Sequence, residues 1–337
     1  MRTEVFDVGV WDEGARERVR YAAGVLRNGG IVAFPTETVY GIGACCFDEG
    51  AVRRVYAAKG RPSDNPMIVH IARASDIGLL AGGLSPGIVK LADAFWPGPL
   101  TMVVEKRDEV PGCVTGGLPT VGVRLPDSAV ALELIRLAGA PVAAPSANLS
   151  GRPSPTRAEH VIEDLEGKVD VILAGVDCRV GIESTVVDMT ASPPVVLRPG
   201  VVTRDDIEAV LDVPVEVDAE TTLPHQNGQA PKSPGMKYRH YAPRARMVVV
   251  EGARERVRAE VARLRALNEG LGLRVGTLLF EERDFLAAAH DFYAALRALD
   301  AEGVDLILAG ALAADSSVRC SHALSMMVCR AWVMVFS

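Results

Sequence analysis

Lys59-Gly-Arg-Pro-Ser-Asp-Asn-Pro-Met-Ile-Val-His70 joins a helical pattern, about Asp48 to Ala58, to a strand pattern at Met67 to Ala72. Gly60, Pro62 and Pro66 restrict the turn between them, because proline fixes φ and glycine permits a sharp change of direction. Lys59 and Arg61 are therefore held close together ahead of the strand. A planar guanidinium grips phosphate oxygens in two bonds and an ammonium adds a point charge, so the loop suits bound phosphate. A solvated basic turn before an edge strand has the same composition, and the loop alone leaves both readings open. By alternation His70 shares a face with Ile68 and Ala72. A lone histidine among apolar residues is either a satisfied core group or a ligand contact, and both readings stay open here.

Working outward, Asp12 caps a helix whose Val19, Ala22, Ala23 and Leu26 lie on one face and which Gly29-Gly30 stops. Ile31 to Phe34 reads as a buried strand that delivers Pro35-Thr-Glu-Thr-Val-Tyr-Gly-Ile-Gly43 to a strand end, where hydroxyls and glycines suit a ligand. Helical patterns near 74–81 and 85–95 precede strands at Met102 to Glu105 and Val121 to Leu125. Arg124 sits inside the second strand and needs an anionic partner there, either an internal carboxylate or the carboxylate of a ligand. A helix at 128–138 and a strand at Pro141 to Ala144 lead into Pro145-Ser-Ala-Asn-Leu-Ser-Gly-Arg-Pro-Ser-Pro-Thr156. The hydroxyls, amide and Arg of that loop fit an anion or nucleotide site. Strands at Val169 to Leu173, Ser184 to Met189 and Val195 to Leu197 follow, with Glu183, Ser184 and Arg198 at their ends. The connections predict an α/β fold with a twisted, mixed sheet over residues 1–211.

Residues 212–244 are polar and aperiodic, and a stretch of that length inside a compact protein points to a working linker. It ends in Ser233-Pro-Gly-Met-Lys-Tyr-Arg-His-Tyr-Ala-Pro243, whose composition suits a lid. From residue 245 to 337 the pattern is βαβαβ: strand Met247 to Val250, helix near 253–268, strand Arg274 to Phe280, helix near 283–300, strand Val304 to Leu308. That order predicts a small, three-stranded parallel sheet of Rossmann-like type. It carries no Gly-x-Gly-x-x-Gly fingerprint and so no assigned dinucleotide.

The chain has 337 residues, 49% hydrophobic and 23% charged, which fits a soluble protein of two domains. A net charge of −7 opposes a general nucleic-acid coat, since that needs many cations against phosphates. None of the six cysteines forms a Cys-x-x-Cys pair, and no His-x-x-x-His or acidic triplet marks a metal site. No signal-peptide core or long apolar run is present, and the expected setting is reduced and cytoplasmic, without a membrane. There is no Gly-x-x-x-x-Gly-Lys-Ser/Thr loop, so ATP, if bound, is held by other means. The cations Lys59, Arg61 and Arg198, with the donors Thr120, Ser146, Asn148 and Ser154, suit nucleotidyl transfer, where catalysis is positioning plus neutralisation of charge. Mg²⁺ is expected to enter mainly with the nucleotide.

Phe-Pro-Thr-Glu-Thr-Val-Tyr-Gly at 34–41, the Lys-x-Arg of Lys59 and Arg61, and the Ser-x-Asn of Ser146 and Asn148 together resemble the YrdC-like family. The linker and the trailing domain resemble its longer, two-domain members, the L-threonylcarbamoyladenylate synthases, over roughly residues 5–312. The resemblance implies a YrdC-like sheet with a concave cleft. It implies synthesis of L-threonylcarbamoyladenylate from L-threonine, bicarbonate or CO₂, and ATP, with pyrophosphate released and the product passed to the machinery that modifies tRNA. It places nucleotide contacts on Lys59, Arg61, Asn65, Thr120, Ser146, Ser154, Arg198 and Tyr238, and threonine contacts on Thr38, His70, Arg124, the backbone at Ala144, and Ser184. Under it Lys59 and Arg61 are the catalytic cations, His70 becomes a ligand contact, and the linker with Tyr238 closes over the cleft. No residue stands out as a general base. An RNA-binding or ribosome-associated module of the same fold is the alternative, which the acidic total charge opposes.

The tail departs from the family's usual ending. Residues 313–337 replace an Ala-x-Met-Asn-Arg-like helix with Ala313-Ala-Asp-Ser-Ser-Val-Arg-Cys and beyond, as expected from divergence or from an altered reading frame near 313–320. Cys320, His322 and Cys329 are read as ordinary residues there, not as metal ligands.

Overall fold

Asp12 accepts the Ala15 amide at 2.8 Å and starts α1, Glu13–Arg27, whose buried Ala15, Val19, Ala22, Ala23 and Leu26 form one stripe. Side chains at this spacing share a face, and burying each large aliphatic one contributes about 1.5–3 kcal/mol. The chain then enters β2, Val32–Phe34. Val32 and Phe34 pack on the face covered by α1 and α5, Ala129–Ala138, while Ile31 and Ala33 join the core on the other face. Period-two alternation thus gives one strand two cores. The computed structural model describes residues 2–218, 242–279, 285–310 and 334–336.

The large sheet has eleven strands in the order β1-β8-β2-β3-β7-β4-β6-β5-β9-β10-β11 and is mixed, as expected. Its remaining members are β1 Glu4–Asp7, β3 Gly41–Cys45, β4 Ile68–His70, β5 Leu100–Glu105, β6 Thr120–Arg124, β7 Val142–Ala143, β8 Val171–Ala174, β9 Thr185–Asp188, β10 Val195–Arg198 and β11 Glu216–Val217. Pairing therefore continues past Leu211 into β11, which lies parallel to β10. Among the elements that the sequence reading left out are β3 and a helix before β8. The glycine-rich β3 is a central strand, and at Gly43 an added Cβ would lie 2.4 Å from Val142 Cγ1, so close strand packing excludes the residues that normally announce a strand. Residues Ala158–Leu165 form the helix α6 after the polar loop.

α2, Glu49–Lys59, begins on the Asp48 cap and ends at Gly60 in the left-handed region (φ 61°), which turns the chain into Arg61. This is the local cause of the opening stretch's geometry: the helix ends on Lys59, Gly60 breaks it, and β4 starts eight residues later.

The second sheet is parallel but has four strands, β13-β14-β12-β15, where three were expected. β12 Arg246–Val250, β13 Val275–Leu278 and β14 Leu306–Gly310 are the expected three, alternating with α8 Arg254–Gly270 and α9 Phe285–Glu302. The fourth, β15 Met334–Phe336, comes from the atypical tail and pairs with Val248–Val250. The residues between β14 and β15, and the linker residues 219–241 including Tyr238, lie outside the described residues, as does the expected lid. No helix among the described residues is long and apolar enough to cross a membrane.

Candidate active site

Parallel pairing of β4 with β6 sets His70 directly beside Arg124. Both are buried, and both line a cleft whose walls also include Thr38, Ala144 and Ser184. All five residues expected on the threonine side are thus brought together. Thr38 belongs to a turn tied internally, where Thr36 Oγ1 lies 2.9 Å from Thr38 Oγ1 and donates to the Val39 carbonyl at 2.6 Å. The Ala144 amide donates to the Ile68 carbonyl at 2.9 Å, which fixes the end of β7 against β4.

His70 has no hydrogen-bond partner for its Nδ1 among the described residues. Burial, and next the Arg124 charge, push its pKa down from 6.5 to about 3, so the imidazole is neutral. A neutral ring with an unsatisfied nitrogen on a cleft wall is placed to exchange a hydrogen bond with a ligand.

Arg124 Nη2 lies 2.6 Å from Glu37 Oε1, and its Nε donates to the Gly98 carbonyl at 3.2 Å. The structure thus supplies the internal partner that the sequence left open. Glu37, from the Phe-Pro-Thr-Glu-Thr motif, was missed as a site residue. The signal available was an acidic residue inside an otherwise uncharged, strand-flanked turn.

Arg61, Ser146 and Arg198 line the same cleft. Arg61 Nε and Nη2 donate to the carbonyls of Asn65 and Pro66 at 3.2 and 2.8 Å, which aims the guanidinium from its own loop. Arg198 donates from Nε to the Ser184 carbonyl and from Nη2 to Ser184 Oγ, each at 3.1 Å, and Ser184 Oγ meets Thr101 Oγ1 at 2.8 Å. Ser184 thereby links the two halves of the expected site.

Of the other expected nucleotide residues, those among the described ones do not line this cleft. Lys59 is buried, with Nζ on the carbonyls of Ser146 and Asn148 and 3.3 Å from Asn148 Oδ1. Three acceptors use its three donors. Burial, and next the Arg61 charge, hold its pKa well below the usual lysine value. Its place is thus beneath the Ser146 loop, away from the cleft surface where a catalytic cation was expected. Asn148 accepts from Ser146 Oγ and donates to the carbonyls of Leu149 and Arg152 at 2.9 Å. Asn65 and Ser154 are fully buried. Thr120 lines an adjoining recess that shares Ile68 with the cleft.

Glu183 also lines the cleft and was noted in the sequence only as a strand-end residue. Its carboxylate accepts from Ser154 Oγ on one oxygen and from Tyr293 on the other.

Comparison with known proteins fits this geometry. The Sua5/YciO/YrdC family, described as "Telomere recombination", matches residues 24–200, and "Threonylcarbamoyl-AMP synthase, C-terminal domain" matches residues 202–323. The chain is 47% identical to the threonylcarbamoyl-AMP synthase of Pyrococcus abyssi, over 87% of this chain and 88% of the relative. It is 44% identical to that of Bacillus subtilis, over 92% of each. The crystal structure of P. abyssi Sua5 complexed with L-threonine superimposes with a TM-score of 0.91 at 40% identity, covering 100% of both chains. A shared family model on each domain and near full-length similarity lead to one conclusion: the chain belongs to the two-domain Sua5 family of threonylcarbamoyl-AMP synthases.

Proposed function

We propose that this protein joins L-threonine, bicarbonate or CO₂, and ATP into L-threonylcarbamoyladenylate, releasing pyrophosphate, for transfer of the threonylcarbamoyl group to tRNA by other proteins. The observation that carries this reading is one cleft holding both Thr38, His70, Arg124 and Ser184 and the group Arg61, Ser146 and Arg198. Arg124, steadied by Glu37, receives the threonine carboxylate, and neutral His70 and the hydroxyls orient the rest of the amino acid. The threonine amine and bicarbonate form a carbamate with loss of water. A carbamate oxygen then attacks the α-phosphorus, and the bond to pyrophosphate breaks.

Arg61 and Arg198 supply positive charge where the phosphates gain negative charge, and Lys59 acts from behind by fixing the Ser146 loop. Catalysis on this reading is approximation and electrostatics, since a short-lived carbamate has only to be held next to the phosphorus. Among the described residues, the carboxylate lining the cleft beside these groups is Glu183, and both its oxygens already accept hydrogen bonds. A Mg²⁺ ion would therefore come with the nucleotide and would add charge neutralisation at the phosphates.

The test is pyrophosphate release with all three substrates and with each omitted, together with mass detection of the adenylate. Release that needs threonine, bicarbonate and ATP supports the proposal. RNA binding without such release would overturn it in favour of a binding module.

A further inference from the structure

Among the described residues, α9 of the second domain bonds to a residue of the cleft wall. Tyr293 of α9 is fully buried and donates from its hydroxyl to Glu183 Oε2 at 2.7 Å. The other oxygen of Glu183 receives Ser154 Oγ, so the chain Tyr293–Glu183–Ser154 runs from the second domain to the expected nucleotide side. One turn further along α9, Arg297 is also buried, at 5% exposure. It donates from Nε and Nη2 to the Pro153 carbonyl at 3.1 and 2.6 Å and from Nη2 to Asp164 at 2.8 Å. Asp164 in turn accepts the Leu149 amide at 3.1 Å. The two helix residues therefore hold both sides of Ser154: its hydrogen-bond partner and the carbonyl just before it.

The packing around these bonds is close. Tyr293, Phe292 and Leu296 form an apolar cluster with Val39 and Ile182 of the first domain. At Gly181 an added Cβ would lie 2.4 Å from His290 Cα, so backbone meets backbone two residues before Glu183. The turn from Gly181 to Ser184 is thus clamped between α9 and the cleft.

We infer that Tyr293 and Arg297 are positioning residues for the nucleotide side of the cleft, acting through Glu183 and the Pro153 carbonyl to place Ser154. The second domain is on this account a structural part of the active site. The inference rests on the proposed synthase reaction for its kinetic readout. A buried carboxylate that keeps both donors holds one geometry, whereas one that loses a donor reorients or admits water.

Tyr293→Phe removes only the hydroxyl and keeps the ring in its cluster. It is expected to raise KM for ATP about tenfold while kcat and KM for threonine stay within about twofold of wild type. Glu183→Gln and the double variant complete a cycle in which the double variant behaves like Glu183→Gln alone, because the tyrosine acts through the carboxylate. Additive effects, or an unchanged KM for ATP in Tyr293→Phe, overturn the inference. Arg297→Lys tests the second tether with the charge kept, and is expected to raise KM for ATP in the same selective way.

Amide hydrogen exchange at residues 154–157 and 182–185, measured without substrates, separates this inference from the proposed reaction. If wild type releases no pyrophosphate, the reaction is wrong. Faster exchange at both segments in Tyr293→Phe still supports the tether, and unchanged exchange overturns it.

Discussion

The Arg124 guanidinium and the Glu37 carboxylate meet at 2.6 Å with their side chains 5% and 1% exposed, so a cation on the cleft wall is balanced from behind. Removing one partner of such a pair leaves a buried charge without compensation. Glu37→Ala is expected to cost about 3–5 kcal/mol in urea unfolding. Arg124→Lys keeps the charge but loses the planar fork, and should raise KM for threonine about tenfold or more while kcat changes less.

His70 gives a pH signature. Its folded pKa, about 3, lies below the ordinary 6.5, so between those values the unfolded chain binds a proton that the folded chain does not. Its contribution to stability is complete above pH 6.5 and is lost as pH falls towards 3, at up to about 1.4 kcal/mol per pH unit. His160, lowered to about 4 mainly by burial, adds a similar trend, so the comparison must be with His70→Asn. Wild type should lose stability faster than that variant between pH 6.5 and 4; parallel curves would contradict the neutral, buried assignment.

Lys59 and Arg61, two residues apart, should fail differently. Lys59→Met leaves the Ser146 and Asn148 carbonyls without their buried donor, at about 1–3 kcal/mol for each unsatisfied group. Thermal melting should therefore fall together with ATP affinity. Arg61→Ala removes hydrogen bonds on the loop surface, costs about 1–2 kcal/mol, and should still lower turnover about a hundredfold or more. Equal stability losses in the two variants would argue against placing Lys59 beneath the loop.

Gly181→Ala tests how tightly the second domain is seated. The residue has φ +79°, where an L side chain costs about 1–2 kcal/mol, and its new Cβ would also strike the α9 backbone at His290. The expected result is a larger loss than the backbone strain alone, with faster hydrogen exchange over residues 285–302. Wild-type exchange in α9 would show that the contact yields at little cost.

Much of the fold was legible because local patterns carried it. Asp12 announced its helix, and the observed starts at Glu13 and Glu49 follow from the Asp12 and Asp48 side-chain oxygens capping free amides. β3 was not legible, since Gly41 and Gly43 are set by close approach of Phe34 and Val142 and not by strand preference. The fourth strand of the small sheet was hidden because β15 is three residues long and pairs across the domain with β12. Of the residues that line the cleft, Arg61, Arg124, Ser146 and Arg198 had been singled out by residue type and motif, and His70 and Ser184 through the family resemblance. Glu37, Glu183, Tyr293 and Arg297 were not, because each matters through a partner distant in sequence.

The sequence by itself determined the alternation of helices and strands, the two-domain layout, and the basic and hydroxyl residues that come to line the cleft. These follow from short-range capping, periodicity and residue chemistry. Only the tertiary structure decided what each charge faces: Arg124 towards Glu37 and the cleft, Lys59 inward to the carbonyls of Ser146 and Asn148, and Glu183 between Ser154 and Tyr293. A side chain's role depends on which partners burial leaves within hydrogen-bond reach, and that is fixed by strand register and domain packing.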